Sequence, residues 1–238
     1  RVNLISTTDV VTIPAPATSL LVYNSNAAMT GGALGYWYWD GAKWVQFGAA
    51  SAVGNAWLLL GNPGTVAGTN FLGTTDNVPL QFRVNNVQAG LIDNTKQTTF
   101  LGYRAGNDNT TGNANTGTGG QALYSNITGN GNTANGMNAL FYNTTGSYNT
   151  ASGNYALYVN TTGYSNVAVG VDALYSNTTR SNLVAIGDSA LYNNGVGAIA
   201  TWEATSNTAV GSKALFSNTT GFQNTASGLS TLYSNTTG

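Results

Sequence analysis

The sequence predicts an all-β chain, a parallel β-solenoid (β-roll) of 17-residue coils preceded by small hairpin-rich modules. Three observations carry that expectation. Glycines recur at Gly102, Gly119, Gly136, Gly153, Gly170, Gly187, Gly211 and Gly228, each step being 17 residues except the 24 between Gly187 and Gly211. Leucines at Leu123, Leu140, Leu157, Leu174, Leu191, Leu215 and Leu232 keep the same step and the same interruption, so two independent columns fix one register. The repeated phrases, "NTANGMNALFYNTTG" and "NTASGNYALYVNTTG", are polar and turn-rich, and no segment has helical periodicity.

Taken in chain order, residues 1–50 form a first module that is not repetitive. Tyr36–Trp39 and Lys43–Phe47 alternate like strands around Asp40-Gly41, a pair suited to a tight hairpin turn. Residues 51–97 read as a second small β module, with "NAWLLLGNPGT", "TNFLGTTDN" and "PLQFRVNNVQAGLID" as short strands between Gly, Asn and Pro. Residues 98–238 are the repeat array. Within a coil, "NTASG" and "NYALYVN" are each expected to be a short strand. The glycine of "NTTG" is expected to take a left-handed turn conformation and the column glycine a bend or close approach. About eight coils rising ~4.8 Å each make a rod of ~40 Å. Coils of Ala, Ser, Thr, Asn and Gly enclose little apolar volume. The Ala-Leu face is therefore expected to be buried between three parallel copies, in a homotrimer.

Composition excludes several function classes. Only 6% of residues are charged, and 7 basic against 8 acidic groups leave no basic face for a nucleic-acid backbone. In a stacked rod a repeated Lys or Glu would make a column of like charges, whereas Asn and Thr can pass hydrogen bonds from coil to coil. No apolar run reaches the ~20 residues that cross a bilayer, so no membrane insertion is expected and the chain reads as soluble. It begins at Arg1 without methionine and stops at Gly238 in the turn of a repeat, which reads as a processed or excised piece.

"NLVAIGDSAL" (Asn182–Leu191) and "NVAVGVDAL" (Asn166–Leu174) resemble the head repeats of YadA-like trimeric autotransporter adhesins, although the period here is longer. "NTAVGSKAL" (Asn207–Leu215) followed by "NTTG", with the flanks "LLVYN…YWYWDGAKWV" and "NFLGTTDNVPLQFRVNN", is similar to tail-fibre-domain proteins of bacteroidetes and their phages. That resemblance spans nearly the whole chain. It implies a trimeric parallel β-roll in an extracellular fibre, on a virion tail or a bacterial cell surface. Members of that family often end in a self-cleaving chaperone domain, which this sequence lacks.

Candidate sites are few. The column Tyr124, Phe141, Tyr158, Tyr175, Tyr192, Phe216 and Tyr233 must stack, and reads first as packing and otherwise as a platform for sugar rings. Trp37, Trp39 and Trp44 form either a carbohydrate-binding face or an apolar plug where chains meet; alternation puts Trp37 and Trp39 opposite Tyr36 and Tyr38. The extra residues between Asn194 and Asn207, at about 195–206, carry Trp202 and Glu203 and read either as a recognition loop, the leading candidate for one, or equally as a loop that only covers the coil edge. Seven Asn-x-Thr sequons, from Asn109 to Asn235, read as turn chemistry copied by the repeat. With no His or Cys, a single glutamate and scattered aspartates, no catalytic residue, metal site or cofactor is expected. Asp172 and Asp188 on adjacent turns are the nearest approach to a carboxylate pair. The expected role is attachment: a structural fibre segment displaying multivalent receptor-binding surfaces for a cell-surface polysaccharide or other receptor. The alternatives are a polysaccharide-degrading tailspike-like enzyme and a self-polymerising surface filament.

Overall fold

The computed structural model describes residues 1–29, 34–47 and 72–238. The strands expected in "NAWLLLGNPGT" and at the start of "TNFLGTTDN" lie outside them. Contacts divide the chain into two compact units, Arg1–Leu72 and Gly73–Gly238. Among the described residues every regular element is a strand, and no helix is long and apolar enough to cross a membrane.

In the first unit, β1 (Leu21–Asn24), β2 (Gly35–Trp39) and β3 (Trp44–Gln46) form an antiparallel sheet in the order β1-β2-β3. The β2–β3 connection is Asp40–Lys43. Asp40 Oδ1 accepts from the amides of Ala42 and Lys43, both at 2.8 Å, and Gly41 takes φ +106°. Alternation along β2 sends Trp37 and Trp39 inward, where they join Trp44, Leu4 and Met29 in one core. Tyr36 stands exposed on the other face, edge-on to Tyr23 with ring centroids 5.2 Å apart.

The second unit is a single ten-stranded sheet. The antiparallel strands β4 (Leu80–Val84) and β5 (Val87–Asp93) lie at one edge, and β5 pairs with β6 (Thr98–Leu101). From β6 onward all pairings are parallel, one strand per coil: β7 (Thr116–Thr118), β8 (Thr133–Asn135), β9 (Thr150–Ser152), β10 (Val167–Val169), β11 (Val184–Ile186), β12 (Thr208–Val210) and β13 (Thr225–Ser227). This is a parallel β-solenoid of eight coils. Each strand turns its middle residue inward, Ala in β8 to β13, while its first and third residues face outward.

Only one strand forms per coil, and the second expected strand is a correction. In Asn154–Asn160 the adjacent residues Ala156 and Leu157 are both fully buried, which strand alternation forbids. Left-handed φ angles of 57° at Tyr155 and 52° at Leu157 bring both side chains inward. The same twist points successive amides in opposite directions. Tyr155 N–H donates to Met137 O at 3.0 Å in the preceding coil, and Leu157 N–H to Ala173 O at 2.9 Å in the following one. The segment is thus a stacked turn that keeps coil-to-coil pairing without extended geometry.

The column glycine makes the close approach expected of it and also takes the left-handed conformation expected of the "NTTG" glycine. Gly153 is the left-handed one, at φ +141°, and a Cβ on it would lie 2.3 Å from Gly170 O in the next coil. Gly146, in "NTTG", has no positive φ. It is glycine for space, since a Cβ there would meet Asn143 Oδ1 at 2.3 Å and Gly163 O at 2.5 Å.

The Ala and Leu columns are buried inside the single chain, so they do not form an inter-chain face as expected from volume. Two buried asparagine columns supply what the apolar residues lack. In the first, Asn143 Nδ2 donates to Asn126 Oδ1 at 2.7 Å and to Gly146 O at 2.9 Å, and Asn160 Nδ2 donates to Asn143 Oδ1 at 2.8 Å. In the second, the amide of Asn149 donates to Asn132 Oδ1 at 3.0 Å and Asn149 Nδ2 to Gly163 O at 2.8 Å. Asn126, Asn132, Asn143, Asn149 and Asn160 all pair their buried amides in this way, so the polar core there carries little of the penalty that unpaired burial would bring, whereas Asn224 Nδ2 in the last coil finds no partner. The sequon asparagines Asn126, Asn143, Asn160, Asn177 and Asn218 are members of the first column and are fully buried.

Candidate functional site

The repeat is broken in one place, and the departures cluster there. After Asn194 the usual two threonines of "NTTG" give way to residues 195–203 before the chain returns to register at Ala204. The asparagine column bridges the gap: Asn194 Nδ2 donates to Ala204 O at 2.8 Å and Asn218 Nδ2 to Asn194 Oδ1 at 2.9 Å. Arg180 and Ala204 occupy the two positions flanking the insertion in a column otherwise held by Gly112, Gly129, Gly146, Gly163 and Gly221. Leu183 replaces the asparagine of the second column in the same coil, and its amide still donates to Asn166 Oδ1 at 3.1 Å.

Arg180 explains how the inserted loop is held. Its stem is buried, and its guanidinium donates through Nη1 to Ala200 O at 2.9 Å and through Nη2 to Ala198 O at 2.7 Å. From the other side Glu203 Oε2 accepts the amides of Ile199 at 2.6 Å and Ala200 at 2.8 Å. Four backbone polar groups around one peptide are therefore fixed by two oppositely charged side chains. Glu203 thereby braces the loop through one carboxylate oxygen.

What the loop presents outward is apolar. Ile199 is 94% exposed, Trp202 56% and Val196 49%. Trp202 packs against exposed Phe222, ring centroids 4.9 Å apart and planes at 73°. An indole so placed keeps open surface beside its Phe222 contact.

The other candidate aromatics are placed differently. Trp37, Trp39 and Trp44 are 3%, 7% and 1% exposed, and Trp44 Nε1 donates to Asp9 O at 2.7 Å. They form a core within one chain and offer no face to a sugar, because Leu4 and Met29 cover them. The column Tyr124, Phe141, Tyr158, Tyr175, Tyr192, Phe216 and Tyr233 is a continuous stack with successive centroids 5.0, 5.6, 5.2, 5.0, 5.2 and 5.1 Å apart. Its ring faces cover one another and leave edges to solvent, so its contribution is packing. Burial pushes the Tyr158 and Tyr192 phenols above the ordinary tyrosine range.

Asp172 is half-buried, and burial first and the Asp188 charge second push its carboxyl above the usual range. Asp188 is exposed one coil away and meets the hydroxyl of its neighbour Ser189 at 3.3 Å. Among the described residues no group of three or more His, Cys, Asp or Glu could hold a metal ion.

Three residues that sequence reasoning passed over complete the picture: Arg180, Phe222 and, on the same edge, Tyr164. Each is a departure from its column. Arg180 stands where glycine recurs, and Phe222 and Tyr164 stand where Ser147, Ser181 and Thr205 do.

Residues 1–61 match the model of a family described as the phage tail like trimerisation region. No curated protein and no solved structure matches the chain.

Proposed function

We propose that the chain is a structural and attachment segment of an extracellular trimeric fibre, a phage or phage-like tail fibre, in which the solenoid is a stiff spacer and the inserted loop is displayed for binding. One observation carries this reading: a stretch similar to a phage tail like trimerisation region is followed in the same chain by a rod whose coils are joined by continuous backbone pairing. Three parallel copies would present three identical loops, and effective concentration would multiply a weak contact into useful avidity. The solenoid closes its own core, so association is assigned to the matched N-terminal stretch. Catalysis has no part in this reading.

The solution mass tests it. Light scattering on the purified chain should give three times the 24.5 kDa chain mass. A monomer at micromolar concentration would overturn the trimeric fibre. Incubation with capsular or cell-wall polysaccharide should release no new reducing ends; steady release would replace the attachment reading with a tailspike-like hydrolase.

A further inference from the structure

We propose that the edge of the solenoid carrying the inserted loop is a binding site for a neutral polysaccharide lying along the rod axis, with Tyr148, Tyr164, Trp202 and Phe222 as its ring platforms. The site deepens the attachment reading above and rests on it.

The edge is built by the turn that follows "NTTG", and backbone bonds stack these turns coil on coil. Tyr148 N–H donates to Asn130 O at 2.8 Å, Ser165 to Ser147 O at 3.0 Å, Asn182 to Tyr164 O at 3.2 Å and Gln223 to Thr205 O at 3.0 Å. Large aromatics at these positions therefore line one edge. From Tyr148 to Phe222 is four coil rises, roughly 19 Å. One coil rise is close to the length of one pyranose unit in an extended chain, so sugar rings and platforms can run in step.

The rings on this edge differ from the internal stack in having open faces. Tyr148 is 69% exposed, and its ring leans on Gly131 of the preceding coil, where a Cβ would come within 2.8 Å of it. Tyr164 is 52% exposed, and among the described residues neither tyrosine stacks on another ring. Trp202 and Phe222 meet edge to face, and both stay exposed, at 56% and 41%. The C–H faces of pyranose rings are the natural complement of such platforms.

Charge decides the class of glycan. Among the described residues the cation beneath the edge, Arg180, is buried with its donors committed to Ala198 and Ala200, and the loop carboxylate, Glu203, is committed to loop amides. The exposed polar neighbours Asn182 and Gln223 are uncharged amides suited to hydroxyl groups. Among the described residues a sulfated or uronic acid polymer would find no free cation on this edge.

Affinity electrophoresis of the full chain through gels cast with β-glucan, xylan, mannan, galactan and alginate tests this. The chain should be retarded in at least one neutral gel and not selectively in alginate. Tyr148→Ala with Tyr164→Ser should weaken that retardation about tenfold or more, the loss expected for a stacked ring. Both substitutions use residues the repeat already holds in those columns, Ala114 and Ser181, so folding should be kept. No retardation in any neutral gel, or retardation indifferent to the double substitution, overturns the proposal. Binding to whole bacteria that protease abolishes and periodate spares would also overturn it, by pointing to a protein receptor, while leaving the attachment function standing.

Discussion

Phe100 and Gly117 face each other in register across β6 and β7, and the glycine is there because the ring is. Phe100 stands in the column that holds Ala134, Ala151 and Ala168 in later coils, so the first coil is filled by one large side chain. A Cβ on Gly117 would lie 2.9 Å from Phe100 Cδ1. Phe100→Ala should cost about 3–5 kcal/mol by leaving a cavity. Gly117→Ala should cost about 1–3 kcal/mol by overpacking. The double substitution recreates the Ala-on-Ala contact of the later coils, so it should cost clearly less than the sum in a urea-unfolding cycle. Simple additivity would sink this account of the cap.

The two kinds of positive-φ glycine in the solenoid predict unequal sensitivities. At Gly153 a Cβ would strike backbone in the next coil, which cannot move without parting the sheet. At Gly197, φ +75°, nothing lies within 4 Å. Gly153→Ala should lose at least ~3 kcal/mol or fail to fold, whereas Gly197→Ala should lose about 1 kcal/mol, the cost of the left-handed conformation alone. Thermal melts of the two variants decide the matter. Equal losses would show that coil-to-coil contact is not what selects the glycine column.

In the asparagine ladder the order of donors is fixed, because Asn143 gives both amide hydrogens and takes one. Asn143→Ala should cost about 3 kcal/mol, roughly 1 kcal/mol for each of three buried bonds. Asn143→Asp should be worse at pH 7, since a carboxylate would face the acceptors Asn126 Oδ1 and Gly146 O. At pH 3 the protonated acid can donate to one of them and should recover part of the loss relative to the parent at that pH. A loss independent of pH would show that the site takes water or repacks.

Much of this fold could be read directly, and the misreadings have physical causes. Periodicity reports which residues share a column, and it placed Gly153, Leu157 and Tyr158 in theirs. It does not report backbone conformation: Leu157 at φ 52° is a choice that propensity argues against, and only the adjacency of Ala156 and Leu157 hinted at it. The estimate of a thin core counted apolar volume alone and left Asn143 and Asn149 outside, whereas paired amides fill the coil. For Trp37 and Trp39, alternation gave the shared face, but its burial depends on Leu4 and Met29, which no local pattern connects to them. The loop was visible as a broken period, while its anchor Arg180 was visible only as a departure from glycine.

Two carboxyls, buried Asp9 and half-buried Asp172, should give opposite pH dependences. Burial raises the Asp9 carboxyl, but bonds from Thr12, Ile5 and Val11 outweigh it and the net shift is downward. Its stabilising effect is present above the unfolded value of about 3.9 and is lost as pH falls through the folded value. Asp172 is shifted upward, so its contribution is favourable at low pH and is lost as pH rises through its folded value. Calorimetry should show Asp9→Asn lowering the melting temperature at pH 7. Asp172→Asn should raise it at pH 7 and converge with the parent by pH 3. A decrease for Asp172→Asn at pH 7 would contradict the upward shift.

The loop and the rod should be separable through Arg180. Its guanidinium donates to both Ala198 O and Ala200 O, whereas its backbone carbonyl serves the rod by accepting Asn177 Nδ2 at 3.0 Å and Asn166 Nδ2 at 2.9 Å. Arg180→Gly restores the residue the column holds elsewhere and keeps that carbonyl, so the coils should stay paired. What it removes is the fixing of the loop from beneath, leaving Glu203 to hold only the amides. Hydrogen exchange should quicken by about tenfold or more in residues 195–204 while Asn143–Asn160 is unchanged, as expected for a locally released segment on an intact scaffold. Any binding by Trp202 should weaken with it, because an ordered loop holds its indole at no further entropic cost. If the loop exchanges as in the parent, Glu203 alone holds it, and Arg180 is there to fill the space that the missing threonine turn leaves.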